Sequence, residues 1–400
     1  MARTIAILLD GTSNSITRKR TNILRLYGCL SKSEDQVVYY DPGVGAMFDP
    51  DGWSRIRQKV GEAVGLAFGH GADANVKEAY RFLVETCAAR PKDAEPDRIC
   101  IFGFSRGAYT ARMLAGFIHE IGLIEPRNLN LVDYAYRAYK RIKPGIPGAR
   151  LSKSQQAAFD QARAAAGLYN NVLRAPHPTI HLLGLFDTVS SVIEPSEGLL
   201  PQRRHHASTS ANPSVRHVRH AVAMDERRRM FTALLWPEGG EGPDGTQDAK
   251  EVWFPGVHCD VGGGYPETEA GLAKTALAWM IEETRALGLS YDDHVVEKLV
   301  HGAGTPEDPR QPASHTAAVH DSLGPKWKPL EYLPFPIGGP AWAMTRGAAR
   351  PIPDGARIHA SVIAGDKGRA PGTPPSPWPP NRPAGDPSTW RLEGDPADFA

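Results

Sequence analysis

The sequence lacks a charge bias, clustered cysteines and any long hydrophobic run. Among its 400 residues, 46 are Lys or Arg and 45 are Asp or Glu, so the net charge of +1 gives no overall field for nucleic acid or an anionic membrane. The four cysteines show no metal-type pairing and suit a reducing compartment. The apolar run in TIAILLD is too short for a signal peptide or a membrane span. We therefore expect a cytoplasmic protein without a nucleic-acid partner, and export without a cleavable signal is compatible with this sequence.

Short apolar segments alternate with helical patterns along most of the chain. Strands buried on both faces are predicted for the runs TIAILLD, QVVYYD, RICIFGF, TIHLLGLFD and EVWFPGV, each of which ends at a turn or a polar residue. Between them, residues 74–89 have apolar side chains spaced by three or four, as in a helix. The alternation predicts an α/β fold of the α/β-hydrolase type, with a mostly parallel sheet and helices on both faces.

Two stretches interrupt this alternation. Residues 126–178 contain two helical segments, and we interpret them as a helical cap inserted into a catalytic domain that spans residues 1–367. The tyrosines and basic residues of VDYAYRAYKRI suit either a lid in peripheral contact with a membrane or an ordinary packed helix. Residues 368–400 are rich in proline and glycine, which predicts an irregular C-terminal tail.

A glycine-flanked serine stands between a predicted strand and a predicted helix. In RICIFGFSRGAYTARML, a tight turn between Gly103 and Gly107 would expose Oγ of Ser105 at the carboxyl edge of the sheet. The following helix would point its N-terminus at the same place, so the amide of Arg106 could donate to a developing oxyanion. We predict that Ser105 is a nucleophile; the alternative is a buried or capping serine.

A nucleophilic serine needs a histidine base and a carboxylate that orients the base. Asp187 ends the run HLLGLFD and His258 follows EVWFPGV, which gives the order Ser, Asp, His found in α/β hydrolases. Asp187 could instead cap a turn, and His258 could be an interior histidine. His359, in RIHASVI, is the second choice of base.

The loop after the first strand, LLDGTSNS, supplies further candidates. α/β hydrolases take a second oxyanion donor from such a loop, and the amide of Gly11 or Thr12 fits that place. The carboxylate of Asp10 would oppose the charge of an oxyanion, so we expect it to organise the loop or to bind a substrate hydroxyl or a cation, with a purely structural turn as the alternative. Asp260, two residues after His258, is a candidate of the same kind.

Six motifs between residues 3 and 288 share one resemblance. They are LLDGTSN, ANVKEAYRFLVETC, IFGFSRGAYTARMLAGFI, GLFDTV, RHAVAMDERRRMF and VWFPGVHCDVGGGY. Together they resemble the α/β-hydrolase catalytic domain of the type VI secretion phospholipase effector family, formerly a domain of unknown function. In that family the serine of GFSRG, an aspartate and a histidine form a triad that hydrolyses acyl esters of phospholipids. The resemblance implies these roles for Ser105, Asp187 and His258.

The segment VRHVRHAVAMDERRRMF has two interpretations. The spacing of four between Arg216, His220 and Met224 predicts a helix with solvated ion pairs. In the other interpretation, one of the consecutive arginines at 227–229 binds a phosphate head group.

The leading expectation is a serine hydrolase that cleaves acyl esters and needs no metal or organic cofactor. Two alternatives stay open. Asp10, Asp187, His258 and Asp260 could converge on a divalent cation in a metal-dependent phosphoesterase, and the chain could also be a binding protein on a hydrolase scaffold. The sequence does not decide between phospholipids and soluble esters, and it leaves the bond position, the oligomeric state and any immunity or secretion partner unknown.

Overall fold

A central parallel sheet organises the chain. The computed structural model describes residues 2–11, 20–43, 60–91, 93–143, 152–189, 193–195, 201–203, 206–305, 310–325, 327–332, 335–336, 342–343, 347–348, 350–364 and 389–395. The strands of the sheet are β1 (Thr4–Leu9), β2 (Gln36–Asp41), β3 (Arg98–Phe104), β4 (Ile180–Phe186), β5 (Val215–Ala223), β6 (Asp248–Phe254), β7 (Arg357–His359) and β8 (Arg391–Glu393). Their order is β8-β7-β6-β5-β4-β3-β1-β2, and each neighbouring pair is parallel. The predicted α/β fold is confirmed.

Helices cover both faces of this sheet. They are α1 (Asn22–Cys29), α2 (Val60–Ala88), α3 (Arg106–Ile121), α4 (Val132–Arg141), α5 (Lys153–Leu173), α6 (His258–Gly262), α7 (Gly271–Ala286), α8 (Asp293–Leu299), α9 (Lys328–Glu331) and α10 (Ser361–Ala364). Short 3₁₀ helices cover Pro126–Leu131, Arg229–Phe231 and Glu267–Glu269. Small antiparallel pairs join Ile193–Pro195 to Pro201–Arg203, Glu241–Gly242 to Gly245–Thr246, and Phe335–Pro336 to Trp342–Ala343.

Alternate side chains of the strands enter two separate hydrophobic cores. Ile5 and Ile7 of β1 pack with α2, α3 and α4, whereas Ala6 and Leu8 pack with α1, α7 and α8. Side chains alternate between the two faces of a strand, so a strand that is apolar throughout is stable only when both faces are covered. Burial on both faces therefore explains why the strands of this sequence are continuous apolar runs.

The inserted helices α4 and α5 pack beside α3. Tyr136 and Tyr139 of α4 contact Phe117 of α3, with ring centroids 5.2 and 5.7 Å apart. Their hydroxyls donate to Asp73 and to the carbonyl of Ala207. Because both tyrosines are buried, this part of the segment matches the packed-helix alternative, and peripheral membrane contact stays a prediction. Among the described residues, no helix is long and apolar enough to cross a membrane.

The helix predicted around His220 is wrong, because Val215–Ala223 form β5. This strand lies between β4 and β6 in the middle of the sheet, so its side chains from Val218 onward are all buried. A strand buried on both faces loses the alternation of apolar and polar residues, and the remaining spacing imitates a helix.

The predicted tail needs a correction at its end. Arg391–Glu393 form β8, which pairs in parallel with β7 at the edge of the central sheet. The predicted boundary at residue 367 therefore leaves out a strand of the domain. Of the predicted tail, residues 368–388 and 396–400 lie outside the described residues.

Candidate active site

Ser105 occupies a sharp turn between β3 and α3. Its backbone angles are φ 59° and ψ −121°, which L-residues rarely adopt, and it stands directly before the first residue of α3. A Cβ on Gly103 would lie 2.4 Å from the carbonyl oxygen of Gly107, and one on Gly107 would lie 2.2 Å from that of Leu9. The two glycines thus permit the close approach of β1, β3 and α3 that forms the turn.

His258 lies between Ser105 and Asp187. It is the first residue of α6, shortly after β6 ends, and its Nε2 is 2.8 Å from Oγ of Ser105. Its Nδ1 is 2.5 Å from Oδ2 of Asp187. The rings of Phe104 and Phe231 pack against the imidazole with centroid distances of 4.7 and 4.9 Å. These contacts fix the plane of the ring, so both hydrogen bonds form together.

Asp187 is a fully buried carboxylate with several donors. It follows β4 with φ 39°, and its Oδ1 accepts from the backbone N–H of Ala223 at 2.9 Å. The guanidinium of Arg350 donates to Oδ1 at 2.5 Å and to Oδ2 at 3.0 Å. Burial alone would raise the pKa of Asp187, but the charge of Arg350 and the hydrogen bonds from His258 and Arg350 hold it well below its ordinary value. Asp187 is therefore ionised at neutral pH.

The chain Ser105, His258, Asp187 has the connectivity needed for nucleophilic catalysis. An imidazole whose Nδ1–H donates to a carboxylate presents Nε2 as an acceptor for the serine proton. Arg106, at the start of α3, places its amide next to Ser105, where helix N–H groups favour negative charge. The structure brings the three predicted residues together, and their catalytic roles stay predictions.

A sequence profile described as "T6SS, Phospholipase effector Tle1-like, catalytic domain" matches residues 3–283. The chain belongs to the Tle1-like phospholipase effector family. The resemblance seen in the sequence motifs is thereby confirmed.

Three relatives of this Tle1-like chain show how much of each is shared. An uncharacterized protein of Saccharomyces cerevisiae is 34% identical over 242 residues, which are 58% of this chain and 33% of the yeast protein. A crystal structure of an uncharacterized Pseudomonas aeruginosa protein is 20% identical, covers 73% of this chain and 46% of its own, and has a TM-score of 0.38. The structure of a Tle1 effector bound to the VgrG spike is 21% identical, with 68% and 53% coverage and a TM-score of 0.30. This chain thus spans about a third of the curated relative and about half of each solved chain.

Several side chains of the site come from beyond the matched residues 3–283 of the Tle1-like domain. Four contacts join the later segment to the site: Arg350 to Asp187, His320 to Asp260, Ser322 to Glu226, and Glu331 to the amide of Arg229. Sequence reasoning gave none of these residues a role in the site, and Arg350 and Glu331 lie in no motif or periodic pattern. The C-terminal segment is therefore part of the site.

Glu226 was also missed, although it supports His258 directly. Its Oε2 accepts from the backbone N–H of His258 at 3.2 Å, and its two oxygens bind the guanidinium of Arg228 at 2.8 and 2.9 Å. Burial would raise the pKa of Glu226, but the hydrogen bonds and charge of Arg228 lower it to about 2. In DERRR, its place among charged residues suggested exposure to solvent.

Asp10 organises the loop after β1. Its Oδ1 accepts from the N–H of Gly11 at 2.7 Å, and its Oδ2 accepts from the hydroxyls of Thr21 and Tyr40 at 2.5 and 3.0 Å. This is the loop-organising role that the sequence allowed. The prediction of Gly11 as an oxyanion donor needs correction in this arrangement, because its N–H is directed to Asp10. Thr12 lies outside the described residues.

Asp260 binds another loop rather than the reacting groups. Its Oδ1 lies 2.6 Å from Nδ1 of His320, and its Oδ2 accepts from the amides of His320 and Val257. Asp10, Asp187 and Asp260 thus bind separate sets of partners. Within the described ranges, no group of three or more His, Cys, Asp or Glu side chains is arranged to hold a metal ion. The metal-site alternative finds no support in this placement.

His359, the second choice of base, lies away from Ser105 in β7. It is buried, stacks on Phe254 with a centroid distance of 4.3 Å, and its Nδ1 is 2.8 Å from Oγ of Ser361. Burial lowers the pKa of His359 to about 4. It is an interior histidine, whereas the imidazole at Ser105 is that of His258, so this second choice of base gains no support from the structure.

The consecutive arginines at 227–229 are bound within the protein. Arg227 donates to the carbonyl of Gly347, and the guanidinium of Arg228 stacks 3.6 Å from the ring centroid of Phe231 while it pairs with Glu226. These contacts differ from both predictions. The arginines follow the strand β5, with Arg229 starting a short 3₁₀ helix, instead of lying on one long α-helix, and the charge of Arg228 is paired within the protein.

Proposed function

We propose that this Tle1-like protein is a serine carboxylic-ester hydrolase that cleaves acyl esters of phospholipids through Ser105, His258 and Asp187. The observation that carries the proposal is the position of the His258 imidazole, within hydrogen-bond distance of both the Ser105 hydroxyl and the Asp187 carboxylate. The backbone angles of Ser105 support it, because a strained residue kept at the edge of a sheet is typical of a functional position.

In the first half of the reaction, Oγ of Ser105 attacks the acyl carbonyl carbon while Nε2 of His258 accepts the hydroxyl proton. The carbonyl oxygen becomes negatively charged beside the N-terminus of α3, where the amide of Arg106 can donate to it. His258 then gives its proton to the departing alcohol, and the acyl group stays on Ser105. Asp187 remains ionised and stabilises the imidazolium.

In the second half, water attacks the acyl-enzyme and gives its proton to His258. The carbon–oxygen bond to Ser105 breaks, the fatty acid leaves, and the proton returns to Oγ. Each group of the protein ends in its starting state, so the cycle requires no cofactor from outside.

The substrate class rests on the family description, which names phospholipase effectors. A phospholipid contains acyl esters, at which Ser105 would act, and phosphodiester bonds, at which this mechanism would not. For localisation, we propose synthesis in the cytoplasm followed by export, which membership of an effector family supports.

A fluorophosphonate probe tests the nucleophile. We expect the probe to label wild-type protein and the variant Ser154→Ala, which alters an exposed serine of α5, and not to label Ser105→Ala. Labelling of Ser105→Ala equal to the wild type would overturn the role of Ser105. Fresh wild-type protein that has not met the probe is then given phosphatidylcholine vesicles and a soluble p-nitrophenyl ester. Release of fatty acid from the vesicles supports the phospholipid substrate, whereas turnover of the soluble ester alone removes that part.

A further inference from the structure

We propose that Arg350 is a positioning residue that holds Asp187 in place for its hydrogen bond with His258. The inference rests on the proposed function of Ser105, His258 and Asp187, and it extends the working parts of the site beyond the residues that match the family. Arg350 reaches Asp187 across 163 positions of sequence.

The contact between the side chains of Arg350 and Asp187 is bidentate and buried. One terminal nitrogen of Arg350 binds Oδ1 of Asp187 at 2.5 Å and the other binds Oδ2 at 3.0 Å. The side chain of Asp187 is 0% exposed and that of Arg350 is 6% exposed. A planar guanidinium fixes both carboxylate oxygens at once, which a lysine ammonium does not do.

Arg350 also binds two backbone carbonyls beside the Asp187–His258 pair. It donates to the carbonyl of Ala223, whose own N–H binds Asp187, and to the carbonyl of Phe231, whose ring packs on His258. One side chain thereby binds the carboxylate, the end of β5 and the backbone of the residue whose ring borders the base. The geometry of the hydrogen bond from His258 to Asp187 depends on all three.

Oδ2 of Asp187 is shared between a cation and the imidazole. His258 Nδ1 lies 2.5 Å from this oxygen and Arg350 lies 3.0 Å from it. A positive charge at a shared carboxylate weakens the pull of that carboxylate on a proton at the imidazole. The charge of Arg350 therefore favours the ionised form of Asp187.

The other ionisable groups near this pair contribute less net charge. His220 of β5 accepts from the amide of Thr188 through Nε2 and pairs with Glu251, and burial lowers its pKa, so it is neutral in this arrangement. Glu226 and Arg228, in the loop after β5, neutralise each other, and burial raises the pKa of the Cys259 thiol on α6 to about 12. Removing Arg350 thus removes the cation that faces Asp187 directly.

The test is the pH dependence of kcat/KM for ester hydrolysis. Four proteins are compared: wild type, Arg350→Gln and Arg350→Met, which remove the charge, and Arg350→Lys, which keeps it. Arg391→Gln is the matched control, because Arg391 is an exposed arginine of the same C-terminal segment paired with Glu238. Of Arg350→Gln and Arg350→Met, the variant whose near-ultraviolet circular dichroism spectrum matches that of the wild type is used as the neutral variant.

We expect the acidic limb of the kcat/KM profile of the neutral variant to move upward by about one pH unit, because the cation that is removed lies beside the carboxylate that faces the imidazole and a nearby charge shifts a pKa by one to three units. The limbs of Arg350→Lys and Arg391→Gln should stay at the wild-type position, and Arg350→Lys should lose rate because it lacks the fork. An unmoved limb in the neutral variant overturns the proposal, as does an equal shift in Arg350→Lys. A failure of the proposed function would look different, because wild type would then show neither labelling by the fluorophosphonate nor ester turnover.

Discussion

The backbone N–H of His258 donates to Oε2 of Glu226, so a second buried carboxylate holds the start of the helix that carries the base. Glu226 is fully buried and is paired with Arg228. The position of the imidazole therefore depends on a carboxylate that does not touch its ring.

Replacement of this carboxylate by an amide should change the acid stability of the protein. The pKa of Glu226 lies at about 2, below its ordinary value of 4.5, so its contribution is complete above pH 4.5 and is lost as the pH falls to about 2. We expect Glu226→Gln to lose about 3 kcal/mol at neutral pH and to show a flatter dependence in that window. Urea unfolding at several pH values measures this, with Glu241→Gln, at an exposed site, as the control. If the free energy of unfolding changed with pH in the same way in Glu226→Gln and in wild type, the low pKa of Glu226 would be contradicted.

His359 should affect stability in a different pH window. Its pKa of about 4 lies below the ordinary 6.5, so the buried neutral ring contributes fully above pH 6.5 and loses its contribution as the pH falls to about 4. We expect His359→Gln to weaken the rise in stability between these values while fluorophosphonate labelling at neutral pH continues. His258→Gln should abolish labelling, and His294→Gln, on the surface of α8, should change neither property. If His359→Gln folded normally but lost labelling, His359 would again be a candidate for the catalytic base.

The strain at Ser105 should be measurable as stability. Glycine adopts φ 59° and ψ −121° more readily than any L-residue, and such strain amounts to about 1–3 kcal/mol. We expect Ser105→Gly to be more stable than Ser105→Ala by about 1 kcal/mol, after the greater chain entropy of unfolded glycine is subtracted. Both variants lack the hydroxyl, so thermal unfolding of the pair isolates the backbone. Equal stability would mean that the turn is relaxed.

Asp10 should matter for loop structure and not for metal binding. It accepts from Thr21, Tyr40 and Gly11, and Asp10→Asn removes the charge and one acceptor oxygen. We expect a loss of about 1–3 kcal/mol in the free energy of unfolding and slower labelling of Ser105. Dialysis of the wild type against EDTA, followed by Mg²⁺, Mn²⁺ or Zn²⁺, should leave turnover unchanged. Activation by one of these ions in the wild type but not in Asp10→Asn would favour the phosphoesterase.

The three central site residues could be placed from the sequence because each one follows a recognisable strand. Ser105, Asp187 and His258 come after apolar runs, and the carboxyl ends of parallel strands meet at one edge of the sheet. Their proximity follows from topology, so local pattern was sufficient.

The remaining support of the site could not be predicted because it depends on contacts between distant segments. Arg350 follows GAA and precedes PIPDG, a context without periodicity, and the strands β7 and β8 have only three residues each. Short edge strands are stabilised by pairing with a sheet that already exists, and their own sequence carries little signal. The same holds for His320 and Ser322, whose partners are known only once the chain is folded.

The origin of the Arg350 clamp late in the chain sets an order of events during synthesis. Ribosomes add roughly 5–20 residues per second, so the 163 positions between Asp187 and Arg350 take on the order of ten to thirty seconds to translate. Throughout that interval the serine turn and its aspartate are already made, but the guanidinium that completes their surroundings is not. The emerging polypeptide therefore completes the surroundings of Asp187 only after residue 350 has been made.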